Sequence, residues 1–437
     1  MASTYLSKTF GSAGNRKTWT FSAWIKRSKL SISGSTILFA SNTSAGSNDE
    51  DCIAFEASDK LRFSLNNGAD ANVKPNRVFR DTNAWYHIVL AVDTTQATAS
   101  DRVKWYFNGV QETSFDTETY PSQNYDCKIN NTTPQGIGFI DDIAGGGNST
   151  YFDGSMSHIH FIDGTQYQAS DFGQYDANGV WTINTSPSVT YGTNGFFILK
   201  DGNSVTDQSG NSNNFTVAGG TLTNTEDNPS NVFAVGNRLI PSLTTYTNGN
   251  LTVSNGASWK SSGSTIAVTQ GKWYAEMKVT AFAANGMFFG VEDMDLVNIW
   301  SPSYVGTSVN GRGYYYFGTV YSNATISSYG SSYTTGDIIG CALDMDNKFV
   351  YFSKNGVFQN SGDPTSGATG TGGLTLGGTT YCIAYAVYNS TVTLNFGNGY
   401  FGTTAVASAG TNASGNGIFE YDVPTGYTAL STKGLNL

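Results

Sequence analysis

The chain has 437 residues, enough at about 150 residues per domain for two or three domains, each able to bury its own core. Its 33 Asp and Glu against 23 Lys and Arg give a formal net charge of -10 with only 13% charged residues. That is the wrong sign for a nucleic-acid binder and too few charges for a long helical coat. Gly at 51, aromatics at 14% and an abundance of Thr, Ser and Asn favour short twisted strands joined by Gly/Asn turns. The expected fold class is all-β, with two antiparallel, jelly-roll-like β-sandwiches joined by an irregular connector.

In chain order, the opening text MASTYLSKTFGSAGNRKTWTF holds no apolar run fit for a signal peptide, and no later segment approaches the roughly 18 apolar residues of a membrane span. Synthesis in a cytosol without membrane insertion is expected. TWTFSAWIKRS at 18–28 alternates, with Trp19, Phe21, Ala23 and Ile25 on one face. Asp49, Glu50 and Asp51 read as a solvated loop. WYHIVLAVD at 85–93 is followed by VKWYFNGV at 103–110, where Asn108-Gly109 between apolar runs is a strong hairpin signal because both residues accept positive φ. His87 on the first of these strands reads as a hydrogen-bonded structural residue. FDGSMSHIHFIDG at 152–164 places His158 and His160 two apart on one strand face, either as a metal pair or as an outward, solvated row.

Residues 193–245 turn to Gly, Asn, Asp and Ser, yet Phe215, Val217, Leu222, Val232 and Phe233 make them too apolar for a free linker, so they are expected to pack along both domains. GKWYAEMKV at 271–279 repeats the alternation with Trp273, Ala275, Met277 and Val279. DIIGCALD at 337–344 and KFVYFSKNGV at 348–357 repeat the hairpin grammar, ending at Asn355-Gly356. The tail, 403–437, is expected to strap back onto a domain. Cys52, Cys127, Cys341 and Cys382 form no CxxC pair and read as reduced, mostly buried thiols. No heptads or collagen-like repeats encode a fibre shaft.

WTFSAWIK, AWYHIVLAVD, VKWYFNGVQ and FDGSMSHIHFIDG make residues 1–192 resemble the concanavalin A-like lectin/glucanase superfamily, in its laminin-G and pentraxin-like branch. GKWYAEMKV, FFGVED, YTTGDIIGCALDMDNKFVYFSKNGV and YCIAYAVYNSTVTLNFGN make residues 246–402 resemble a SPRY domain. The two together, with DQSGNSNNFTV, DNPSNVF and PTGYTAL, resemble virion structural proteins of tailed bacteriophages. That resemblance implies a virion location and partners among capsid or tail proteins, host surface glycans and further copies of the chain in the particle. A lectin-type protein devoted to host receptor recognition is the alternative.

The superfamily's glucanases carry two carboxylates at fixed spacing on one strand face. The nearest text, Glu292-Asp293-Met294-Asp295, lacks the spacing and lies in the SPRY-like half, so it reads as a loop cap. GxSxG, HExxH and P-loop motifs are missing as well, and no enzymatic activity is expected. Pentraxin-like modules hold calcium through loop Asp, Asn and carbonyl oxygens, which makes Asp141, Asp142, Asn148 and Asp153, around Gly145-Gly146-Gly147, the candidate ligands. The same residues are also ordinary loop chemistry.

For binding without chemistry, 297–329 carries Trp300, Tyr304, Tyr314, Tyr315, Tyr316, Tyr321 and Tyr329 among Asn298, Asn310, Arg312 and Asn323. Flat aromatics beside Asn and Arg stack on sugars or anchor protein interfaces. Trp300, Tyr304, Asn310 and Arg312 are the candidate binding residues; on the competing reading 314–317 is a core strand with Tyr315 and Phe317 inside.

Overall fold

The aromatic strands read from the sequence become the centres of sheets in two units, Met1–Asn224 and Thr225–Leu437, in a computed structural model that describes all residues but 1–3, 33, 44–48, 140–148, 201, 203, 241–243, 283–285, 296–303 and 437. Among the described residues, regular structure is strand with a few short 3-10 turns. Each unit pairs a six-stranded with a nine-stranded sheet.

In the first unit Thr18–Arg27 lies between Gly154–Asp163 and Tyr86–Asp93, and Val103–Phe107 continues the sheet. Trp19, Phe21, Ala23, Ile25, Val103, Trp105 and Phe107 all join one core, facing Phe39, Phe63 and other residues of the nine-stranded sheet. The turn after Val103–Phe107 is Asn108-Gly109, with φ of 46° and 86°, and its counterpart in the second unit is Asn355-Gly356, with φ of 49° and 80°. Both pairs take the left-handed geometry that matches strand twist in a two-residue hairpin. In the second unit Lys272–Phe282 lies between Ser390–Asn395 and Ile338–Asp344, placing Trp273, Ala275, Met277 and Val279 in the core.

The apolar residues of 193–245 divide between the units. Phe196–Ile198 pairs with Gly154–Asp163, Thr216–Gly219 pairs with Tyr5–Thr9, and Phe215 enters the first core. Phe233, Ala234 and Val235 belong to cores of the second unit, where Ala234 donates its N–H to the Leu430 carbonyl at 2.9 Å. The tail packs there too: Thr428–Ala429 pairs in parallel with Trp273 and Tyr274, and Phe419, Val423 and Tyr427 cover Tyr274, Ala342 and Tyr351 on the outer side of the nine-stranded sheet.

Buried Glu276 fixes this tail. Its carboxylate accepts the Glu420 and Tyr421 N–H groups, both at 2.9 Å, together with Asn395 Nδ2 at 3.3 Å. Burial pushes its pKa up to about 7, against the pull of those donors.

Two sequence expectations need correction. Glu50 and Asp51 are buried rather than solvated. Asp51 accepts the Asn66 N–H at 2.9 Å and the Lys128 N–H at 2.5 Å, and burial raises its pKa to about 6. His158 and His160 are likewise no solvated row. His158 has a φ of 49° at a break in register between Ser157 and His160, so strand alternation fails there, and His160 lies against Phe197 with ring centroids 3.9 Å apart.

Candidate functional site

The outer face of the second unit's six-stranded sheet is built from aromatics. Phe288, on Met287–Asp293, points away from the main core with Cys382, Ala384 and Ala386, while its neighbours Met287 and Phe289 point into it. The small residues leave Phe288 standing above a low floor. Tyr304 stacks on it at 5.2 Å and 2°, Tyr315 stacks at 4.4 Å and 22°, and Tyr321 meets it edge-on at 4.9 Å. Trp259 closes one side, 5.3 Å from Phe288, 5.2 Å from Tyr304 and 5.7 Å from Tyr388. Such offset and edge contacts hold the rings in place, with Tyr304, Tyr315 and Tyr321 half-buried among the described residues.

Glycines let the loop carrying Tyr304 lie flat on the sheet. A Cβ at Gly313 would strike the Val305 carbonyl, and one at Gly306, whose φ is 90°, would strike the Tyr321 carbonyl. Val305 is thereby buried, and Tyr304 is set over Phe288. Glu292 ties the loop down by accepting the Gly306 N–H at 2.7 Å and the Ser308 hydroxyl, while Ala324 N–H donates to the Gly306 carbonyl at 3.1 Å. Burial raises the Glu292 pKa, and the two donors and the Arg312 charge oppose it.

The rim residues singled out in the sequence are committed to the loops. Asn310 donates to Asp293 Oδ2 at 2.6 Å, and its carbonyl accepts the Tyr381 hydroxyl at 3.1 Å. Arg312 is half-buried and donates to the carbonyls of Thr375 at 2.9 Å and Gly311 at 2.6 Å; burial lowers its pKa. Tyr304 is half-buried, and Trp300 lies outside the described residues. Of the 314–317 run, Tyr314 is the core residue; Tyr315 faces outward and Phe317, 63% exposed, sits at a turn. Tyr315 takes the face opposite to the one expected because it pairs with outward-facing Phe288 while Tyr314 pairs with inward-facing Phe289, and Gly318, with φ of 85°, turns the chain before alternation can reach Phe317. Sequence reasoning missed Trp259, Phe288 and Tyr388; ring spacing on adjacent strands, which identifies them, has no signature within one strand.

In the first unit the outer face of the six-stranded sheet is covered. His87 is fully buried between Trp24, at 4.9 Å, and Trp181, at 5.9 Å. Trp181 Nε1–H donates to Nδ1 at 3.1 Å, which leaves the protonated Nε2 facing Ser22 Oγ at 2.9 Å. Burial depresses the His87 pKa to about 3. His160 pairs with the Tyr191 hydroxyl at 2.9 Å. Beside this cover a polar cleft is lined by Lys104, Tyr106, Gln166, Tyr167, Gln168 and Asp171. Of the calcium candidates, Asp141, Asp142 and Asn148 lie outside the described residues, and the Asp153 carbonyl accepts the Ser28 N–H at 2.9 Å.

Comparison with known proteins matches residues 2–170 to the concanavalin A-like lectin/glucanases superfamily and residues 292–399 to the SPRY domain. The chain thus carries a concanavalin A-like domain and a SPRY domain, fold types of protein-interaction or carbohydrate-binding modules. The chain is 33% identical over 87 residues to the dual specificity protein kinase splA of Dictyostelium discoideum, covering 20% of this chain and 3% of that protein. It is 34% identical over 103 residues to the ATP-dependent RNA helicase DDX1 of Xenopus laevis, covering 22% of this chain and 12% of that protein. Among solved structures, the SPRY domain of human HERC1 is similar at 18% identity and a TM-score of 0.29, over 36% of this chain and 96% of that one. The native heptameric SAP-like pentraxin of Limulus polyphemus is similar at 15% identity and a TM-score of 0.29, over 38% and 72%.

Proposed function

We propose that this chain is a non-enzymatic binding protein that presents the open aromatic face of its second unit to a partner, and that it works on a bacteriophage virion surface, as capsid decoration, head fibre or tail appendage. One observation carries the binding reading: Tyr304 and Tyr315, stacked, and Tyr321, edge-on, are only half-buried around Phe288. Rigid aromatics of this kind gain contact area on binding and lose little rotamer entropy. The carboxylates of Glu292 and Asp293 are occupied by loop donors, which argues against acid/base work there. The virion setting is supported by the combination of the two domain types with the DNPSNVF and PTGYTAL segments.

The test is the double variant Trp300→Ala with Tyr304→Ala, compared with wild type for circular dichroism and for binding to particles and host cells. Folding is expected to persist while binding weakens by more than ~2 kcal/mol, the scale of lost interface anchors. Wild-type binding to both would reject the site.

A lectin reading is favoured by the first unit's cleft, where Tyr106, Tyr167, Gln166 and Gln168 are the planar groups that sugars stack on and hydrogen-bond to. Glycan arrays with Tyr106→Ala separate it from protein recognition. Calcium at Asp141, Asp142, Asn148 and Asp153 belongs to the lectin reading and is tested by calcorimetric titration of wild type and Asp142→Asn.

A further inference from the structure

Among the described residues, the second unit's six-stranded sheet ends in the strand Thr325–Ser328, which pairs on one side only, with Thr319–Ser322. The two strands are joined by Asn323-Ala324, with φ of 52° and 57°. In such a two-residue hairpin Ser322 and Thr325 form the closing hydrogen-bonded pair, and hydrogen-bonded and non-bonded pairs then alternate. Thr325 and Ser327 therefore direct their N–H and C=O groups inward, while Ile326 and Ser328 direct theirs away from the sheet. All four residues are exposed.

Exposed edges are ordinarily defended by charge, proline or a bulge. The edge strand Phe115–Thr119 of the first unit carries Asp116 and Glu118. By contrast residues 313–336 contain no Asp, Glu, Lys, Arg, His or Pro. Ile326, 55% exposed, lies directly across from Tyr321, so the aromatic face reaches the edge itself.

We propose that Thr325–Ser328 pairs with the same strand of a second copy of this chain, continuing the sheet across a two-fold axis. An antiparallel edge is its own complement. With the axis through Ser327, Ile326 of each copy stands opposite Ser328 of the other, and both outward residues of each strand exchange N–H and C=O bonds. The charge distribution selects this occupant: copies with a formal charge of -10 repel, and this uncharged stretch is a place where two of them can meet without setting carboxylates against each other. The inference is independent of what the aromatic face binds.

Sedimentation velocity of the full chain over a concentration series is the test. Wild type is expected to pass from monomer to dimer as concentration rises, Ile326→Lys to remain monomeric at every concentration, and Val357→Lys, on the other sheet of the same unit, to behave as wild type. Ser327→Cys adds a positional readout. Non-bonded antiparallel partners lie about 4.5 Å apart at Cα, within disulfide range, whereas the four natural cysteines are buried. Mild oxidation should therefore link Ser327→Cys dimers, and should fail to do so when Ile326→Lys is added. A monomer at all concentrations with no cross-link, or a dimer unaffected by Ile326→Lys, overturns the proposal, and the former outcome leaves the edge to an extended segment of another protein.

Discussion

The two units share a sandwich plan and differ in what lies on its outside. In the first, residues around Phe172, Trp181 and Tyr191 return over the six-stranded sheet and seal His87 and His160 beneath them. In the second, the returning tail covers the nine-stranded sheet instead, pinned at Glu276, and among the described residues the aromatic face of the six-stranded sheet carries no comparable cover. Inner faces follow from strand alternation in both units; which outer face is free follows from where the irregular segments go. The difference buries His87 and His160 under the cover of the first unit and Glu276 under the tail of the second.

The largest expected contrast is between inner and outer rings. Trp273→Ala should cost the second unit roughly 3–5 kcal/mol in denaturant melts, since the indole is in the core and leaves a cavity. Phe317→Ser should stay within about 0.5 kcal/mol.

Acid should separate the units next. The folded-state pKa of His87 is lowered to about 3, so the unfolded state binds more protons between about pH 3 and 6.5. The His87 contribution to the first unit's stability is full above pH 6.5 and falls as pH drops through that window, by an amount on the order of a few kcal/mol. It is opposed between about pH 4 and 6 by the smaller effect of Asp51, whose raised pKa makes the folded state hold the extra proton. Scanning calorimetry of the full chain should show the first unit's transition moving to lower temperature first, and His87→Gln should remove much of the dependence.

Glu276 acts with the opposite sign. Its folded-state pKa is raised to about 7, so the folded state holds the extra proton, and the second unit loses stability as pH rises from about 4.5 to 7. Glu276→Gln should flatten that slope at a cost of about 1–3 kcal/mol, because the Glu420 and Tyr421 N–H groups use different carboxylate oxygens and the NH2 of the amide leaves one of them without an acceptor. Equal pH slopes for both transitions would remove the contrast.

The smallest effect sharpens the same comparison at the cover itself. Trp181→Phe keeps a ring beside His87 and removes one hydrogen bond to Nδ1, for an expected loss of about 0.5–1.5 kcal/mol. Hydrogen exchange at residues 173–183 should rise, with the second unit unchanged.

The legible part of the fold was the part governed by period. Trp19 to Ile25 and Trp273 to Val279 alternate, and both rows lie in cores. The Asn-Gly pairs carry their backbone geometry in their residue types. What period does not govern was misread: the bulge at His158 shifts the imidazoles off a common alternation, and Asp51 is drawn inside by two backbone amides rather than outward by its charge. The candidate site was legible as a region, through Tyr304, Asn310 and Arg312. Their division of labour was not, since whether a polar side chain holds a loop or faces solvent depends on carbonyls such as Thr375, distant in sequence.

Gly306 and Gly313 let a loop rest on a strand with backbone against backbone. Such a seat recognises only the path of the chain, so the side chains of residues 304–311 that do not hold it down are exchangeable. Glu292, the anchoring carboxylate, belongs to the sheet and not to the loop. The second unit is therefore a socket whose loop can take new side chains at the remaining positions between Tyr304 and Gly311 without redesign of the sandwich, provided Val305, both glycines, Ser308 and Asn310 are kept.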